Sequence, residues 1–260
     1  MFRVLPPFGG DPRATAEIVN GIMNGKTNNT GLVTLATGNA TTTTINDARI
    51  GADSLIILVP VSAAAEADTA PYGAFSSSSA QFAASTGNTY VVEFTSTDSS
   101  SGVYLSNSSR LNVRNYGIYN VQFSLQLINN ANDSEYADVW FRKNGTDVAN
   151  SASRFGLPPR KSVGNPSHVI GSINFFIELN AGDYVEIAGA VSSTDVSLEY
   201  YAADTVLPRP AIPSVITTVQ YIAPAASSNV YVSSQTNGSA TLTHFSNNTA
   251  DKTYGYVVIG

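Results

Sequence analysis

The chain has 260 residues, of which only 12% are charged, and a net charge of −6. That length holds one large all-β domain or two smaller ones, each able to bury a core. No basic cluster exceeds the Arg160-Lys161 pair, so the footprint of a nucleic-acid binder is missing, and the lack of cysteine excludes disulfides, thiolate metal sites and cysteine nucleophiles.

Residues 1–30 read as an anchoring arm and a short helix. The first thirteen residues have no long apolar run and no cleavage site, so they do not resemble a signal peptide. Pro6 and Pro7 cannot donate backbone hydrogen bonds, which predicts an extended arm. Asp11 suits an N-cap and Pro12 the first helical position. Ala14, Ile18 and Ile22 then share one face, and Gly25 suits a left-handed cap. Gly21, Val19 and Ile22 weaken this helix, so it needs a docking surface. Phe2, Leu5, Phe8, Ile18 and Ile22 are the apolar side chains available for anchoring.

Short strands are predicted over 32–35 and 41–45, and a near-continuous apolar one over 54–59, ended by Pro60. Its five apolar residues are far too few to span a bilayer. Residues 61–70 read as a linker or a single helical turn. More short strands follow from Phe75, over 90–94, 102–105 and 111–113. Then Tyr119, Val121, Phe123, Leu125 and Leu127 alternate with Asn120, Gln122, Ser124 and Gln126, a strand with one dry face and one polar face. Ala137 to Lys143 forms the next strand, closed by Asn144-Gly145, whose tolerance of positive φ marks a tight hairpin. Gly156 to Pro166 reads as an irregular loop. Ile173, Phe175, Ile177 and Leu179 alternate again before the turn Asn180-Ala181-Gly182-Asp183 and a strand from Tyr184. Strands over 196–201 and 215–222 flank a loop with three prolines. Three more strands lie beyond Ala223, with Asn237-Gly238 as a turn between the first two. This tail and residues 31–70 are each too small to bury a core. The simplest solution pairs 31–70 with 224–260 in one split β-domain, with 71–223 inserted.

Three motifs of the insert carry a resemblance. They are Gly117, Tyr119, Val121 and Phe123; Lys143, Asn144 and Gly145; and Leu179, Gly182, Asp183, Val185 and Ile187. In this order the region over about 72–223 resembles the TNF-like and complement globular-head jelly rolls, above all the versions carried by bacteriophage virion proteins. The flanking segments resemble a compact unit recurring in phage structural proteins. The resemblance implies an all-β fold: a TNF-like jelly-roll sandwich inserted into a small β-domain, with a short N-terminal arm and helix. It also implies a homotrimer formed through one sheet. Trp140, between Val139 and Phe141, then points out of the core as an interface candidate, and Tyr201, on the polar face of its own strand, is a second; a bulge would instead turn Trp140 inward.

Little here suggests catalysis. His168 and His244 lack metal-ligand spacing and read as surface or interface residues, and no Gly-x-Ser-x-Gly elbow occurs. Glu178, Asp183 and Glu186 are near in sequence, but Asp183 fits a turn and the two glutamates fit outward strand positions rather than a glycosidase pair. The oxygen-rich run Asn129–Glu135 has no calcium-site spacing and reads as a solvated loop. No enzyme activity, cofactor or metal is expected.

The expectation is a structural component of a phage particle: a trimeric fibre, tail-associated or head-decoration protein. Its partners would be other virion proteins and a host-surface glycan or protein, without nucleic-acid binding or membrane insertion. Asn130, Asn132, Asp133, Arg160 and Lys161 are the loop residues placed to make contact. The alternatives are a trimeric adhesin or lectin-like protein outside a virion, and a glycan-degrading spike.

Overall fold

The computed structural model describes residues 11–24, 28–66, 70–222 and 230–260. The anchoring candidates Phe2, Leu5 and Phe8 and the expected cap Gly25 lie outside these. Helix α1 spans Pro12–Met23 and starts as its sequence dictates: the Asp11 carboxylate accepts from the Arg13 N–H at 3.1 Å. It ends on Asn24, and none of its residues is buried.

Strands β1 (Thr30–Thr34), β2 (Ala40–Asn46) and β3 (Leu55–Pro60) follow, then the single turn α2 (Ala63–Glu66). The next group is β4 (Tyr72–Ser77), β5 (Gln81–Phe82), β6 (Tyr90–Val91), β7 (Ser96–Ser101), β8 (Val103–Ser106) and β9 (Arg110–Val113). The long strands come next: β10 (Gly117–Asn129), β11 (Glu135–Lys143), β12 (Thr146–Asp147), β13 (Ser153–Leu157), β14 (Ser167–Leu179) and β15 (Tyr184–Val191). The last are β16 (Val196–Leu198), β17 (Val215–Ile222), β18 (Val230–Thr236), β19 (Ser239–Asn247) and β20 (Thr253–Ile259). The chain is all-β.

It divides into two compact units, one taking Met1–Asp68, Val230–His244 and Asn248–Gly260, the other Thr69–Asn229 with Phe245–Asn247. In the first, β20 lies between β1 and β3, and β19 lies between β18 and β2. Each three-stranded sheet therefore joins strands from the two ends of the sequence. Their alternation buries Val33, Leu35, Ile45, Leu242, Tyr254, Tyr256 and Val258 in one core. His244 is not a surface residue, as its sequence suggested. It is buried among these strands, with Nε2 2.8 Å from Thr43 Oγ1. Alternation explains this: His244 is in phase with Leu242 and Ala240, which are core positions.

The second unit is a jelly-roll sandwich. One sheet runs β5-β16-β10-β17-β4-β7, with β14 on the other edge of β10; the second runs β12-β11-β15-β9-β8, with β13 on β11 and β6 on β15. Successive long strands alternate between sheets, so each connection crosses the sandwich. Tyr119, Phe123 and Leu125 meet Val139, Phe141 and Ile187 across the core, and Phe123 and Phe141 have ring centroids 5.5 Å apart. The strand predicted over 196–201 stops at Leu198, and Tyr201 instead forms a lone bridge with Ile212.

The Lys-Asn-Gly and Gly-Asp motifs fasten each other. Asn144 and Gly145 adopt φ 51° and 81° in the tight turn, and Gly182 adopts φ 88°. Asn144 Nδ2 donates to Asp183 Oδ1 at 2.7 Å, and the Tyr184 N–H donates to Asn144 Oδ1 at 3.0 Å. Lys143 Nζ lies 3.0 Å from Asp183 Oδ2. Burial pushes the Asp183 carboxyl up. The Asn144 amide, the Asn180 N–H and the Lys143 ammonium outweigh it and hold the pKa at about 2.

Candidate assembly face and contact loops

The outward face of the first sheet is unusual for a surface. Register places Glu178, Ile118 and Ile222 in one row, Phe176, Asn120 and Gln220 in the next, then Asn174, Gln122 and Thr218, then Ser172, Ser124 and Ile216. The only formal charge across these rows is Glu178, at one corner, where it accepts from the Tyr116 hydroxyl at 2.5 Å. Phe176 is 61% exposed and Ile118 49%, and Ile170, Ile216 and Ile222 are also exposed. Between them, Asn120 Oδ1 is buried without a hydrogen-bond partner. Depletion of charge with retained apolar and amide groups distinguishes protein interfaces from free surface.

The contact-loop candidates are brought together at one end of this unit. Arg160 Nε donates to Asn132 Oδ1 at 2.9 Å, and the Arg160 N–H to the Ala131 carbonyl at 2.9 Å. The buried Asn129 amide ties the two loops by donating to the Asp133 and Pro158 carbonyls, both at 2.9 Å. Asn130 joins a third loop through its N–H on the Asp195 carbonyl at 3.0 Å. Lys161 lies in a small turn closed by the Ser162–Asn165 bridge, with its own N–H on the Asn165 carbonyl at 3.1 Å. Lys161 and Asp133 are exposed.

The two interface candidates are not brought together. Trp140 points out of the core as expected, since Val139 and Phe141 are both buried, but it lies on the second sheet. It is half-buried, and its Nε1 donates to Asp147 Oδ1 at 2.7 Å, beside Arg142 Nε on the same oxygen at 2.6 Å. The expected open tryptophan surface is thus a filled one. The same face carries Arg154, bidentate on Asp138 with both contacts at 2.8 Å and lying 3.8 Å over the Tyr136 ring. Arg110 lies over Tyr184 and Arg114 over Tyr104. Tyr201 belongs to the other side: its hydroxyl lies 3.3 Å from Nδ1 of His168, which shares the outward side of β14 with Phe176.

Two expectations about the acidic residues are settled differently. Glu178 is exposed as predicted. Glu186 faces away from the core but is only 6% exposed, because Ser109 Oγ donates to it at 2.8 Å and Arg110 lies 3.5 Å away. The connection before β9 covers it, which no strand pattern reveals. Among the described residues no cluster of three or more His, Asp or Glu side chains is arranged to hold a metal ion.

The apolar residues of the assembly face escaped the sequence reading, which took the alternate positions as a polar face. A signal was present: Ile118, Phe176 and Ile216 interrupt the polar phase of their strands, and the Phe175-Phe176 doublet puts an aromatic ring on both sides of one strand. Comparison with known proteins finds no family model that matches the chain and no curated protein similar to it in sequence.

Proposed function

We propose that the chain is a non-enzymatic structural protein of a phage particle that works as a homotrimer. The observation that carries the reading is the neutral, apolar-studded face of β10, β14 and β17. Burying it removes no ion pair from water and involves only the single carboxylate of Glu178 at its corner, so the penalty for desolvating charge is small. Each square ångström of apolar surface buried contributes roughly 25 cal/mol. The amides of Gln122, Asn174 and Gln220 supply hydrogen bonds that fix the pairing of copies. The motif resemblance favours three copies and a virion setting. The N-terminal arm and helix α1 attach the protein to other virion proteins, for α1 buries none of its residues and presents Ile22 and Met23 outward. The loops tied by Asn129 and Arg160 meet a host-surface glycan or a neighbouring subunit, weakly per copy and strongly in multiples.

Sedimentation equilibrium of the full chain tests the assembly, with three times the chain mass expected. Imaging of purified particles labelled at Gly260 tests the setting, with copies expected in multiples of three. A monomer at micromolar concentration refutes the first, and particles carrying no label refute the second.

A further inference from the structure

We propose that the jelly roll also holds a ligand site, a cleft between its two sheets that takes an uncharged aliphatic molecule. The cleft has a volume of about 380 Å³. That lies at the lower end of the roughly 300–1,000 Å³ of small-molecule sites. It opens where each sheet carries one of its shortest strands, β5 and β6, of two residues each. Small side chains shape it. Ala137 and Gly189 occupy inward positions of β11 and β15, in phase with Val139 and Val191, where larger residues would close the sandwich.

The walls are aliphatic: Leu125, Leu127, Val196 and Leu198 from one side, Val139 and Val191 from the other. All but Val191 are buried members of the hydrophobic core, so the cleft continues that core toward solvent. Protein interiors are otherwise packed to the density of organic crystals, and wall atoms facing a gap lose dispersion contacts. An aliphatic occupant restores them.

The polar groups of the lining select against a charged one. Gln81 is committed: its Nε2 donates to the Glu93 carbonyl and its Oε1 accepts from the Glu93 N–H, both at 2.9 Å. The Tyr90 hydroxyl accepts from the Ser85 N–H at 2.7 Å. The Asp138 carboxylate is taken by Arg154. No Lys, Arg or His lines the cleft, and Glu93 stands exposed at its rim. An anionic head would meet no counter-charge there.

Methyl-resolved NMR of the full chain, titrated with 1-octanol and separately with octanoate, tests this. Saturable shifts are expected for the methyls of the six wall residues with 1-octanol. Octanoate should bind at least ~10-fold more weakly, since a charge entering an apolar site without a partner is costly. Ala137→Leu, and independently Val191→Phe, should abolish the 1-octanol shifts while the amide spectrum stays folded. The assignment falls if no shift saturates or if octanoate binds as tightly. It also falls if the exposed methyls of Val163, Val206 and Leu207 respond as strongly, or if a folded filling variant still binds. Self-association does not enter, so a monomeric protein should give the same result.

Discussion

The two outward faces of the sandwich have the same strand alternation and opposite chemistry. The face of β11, β13, β15, β9 and β8 places four arginines beside aromatic rings and carboxylates: Arg154 on Asp138 and Tyr136, Arg142 on Asp147 beside Trp140, Arg110 over Tyr184, Arg114 over Tyr104. Each charge there already has a partner within the chain. The face of β10, β14 and β17 carries one carboxylate at its corner and otherwise amides, hydroxyls, Ile118, Phe176, Ile216 and Ile222. The sandwich gathers these arginines on one sheet and leaves the face of β10, β14 and β17 with the single carboxylate of Glu178. A wired face contributes to the stability of the unit that carries it, whereas an uncharged one costs little to desolvate and serves association.

Association should therefore respond most. Phe176→Glu puts a carboxylate on the outer strand of the neutral face, opposite Asn120 with its unpartnered oxygen. Self-association should weaken at least ~100-fold, about 2.7 kcal/mol, as read by sedimentation velocity across a dilution series. The melting temperature of a dilute monomer should not change, since Phe176 is 61% exposed. A variant that keeps its oligomeric state removes this face from the assembly. One that melts early instead assigns Phe176 to the fold.

On the wired side the next largest effect is expected at Glu186. Glu186→Ala strips the buried partner from Ser109 and the counter-charge from Arg110. A loss of about 1–3 kcal/mol is expected in urea unfolding, the cost of leaving buried polar groups unsatisfied. Oligomeric state should not change.

The interlock at the ends of β11 and β15 adds a pH signature. The folded Asp183 carboxyl sits at about 2, below the 3.8 of an unperturbed aspartate. A depressed folded value means the unfolded chain binds the proton more tightly. The stabilisation is then complete above pH 3.8 and is lost as pH falls toward 2. The difference amounts to about 2 kcal/mol. Asp183→Asn should flatten that part of the stability–pH curve, and an unchanged acid limb would show that the two turns do not depend on this charge.

How much of this was legible in the sequence follows from where each signal resides. The long strands were, because Tyr119 to Leu127 alternate strictly, Ile173, Phe175, Ile177 and Leu179 keep one inward phase, and these inward residues meet the core. The split small domain was legible too, since neither end of the chain could bury a core alone. Strand β7 was not: Ser-Thr-Asp-Ser-Ser-Ser has no apolar phase, and it pairs with β4 through the backbone ladder and polar side-chain contacts such as Ser76 to Asp98. Strand β13 hid for a related reason, being a short edge strand whose Arg154 and Gly156 face solvent. The surface roles of Trp140 and Glu186 depended on side-chain partners, Asp147 across the hairpin and Ser109 far off in sequence, which periodicity does not reveal. The neutral face was half legible: its amide-rich phase was plain, but the apolar residues breaking that phase mattered more.

The smallest effect is expected from Arg154→Ala, which nonetheless separates the two faces cleanly. Arg154 is bidentate on Asp138 and stacked on Tyr136, the best-formed ion pair of the wired sheet, and it lowers the Asp138 carboxyl below its usual range. Its side chain is 61% exposed, so water and salt screen the pair and the truncation should cost little stability. That cost should shrink in 1 M salt, where the Debye length falls to about 3 Å. Substituting this charge should leave the sedimentation coefficient unchanged, although it alters the surface more than Phe176→Glu does in size. If Arg154→Ala disperses the oligomer while Phe176→Glu does not, the wired sheet is the assembly face. The arginine–aromatic pairs would then be contacts awaiting a second copy rather than partners already satisfied.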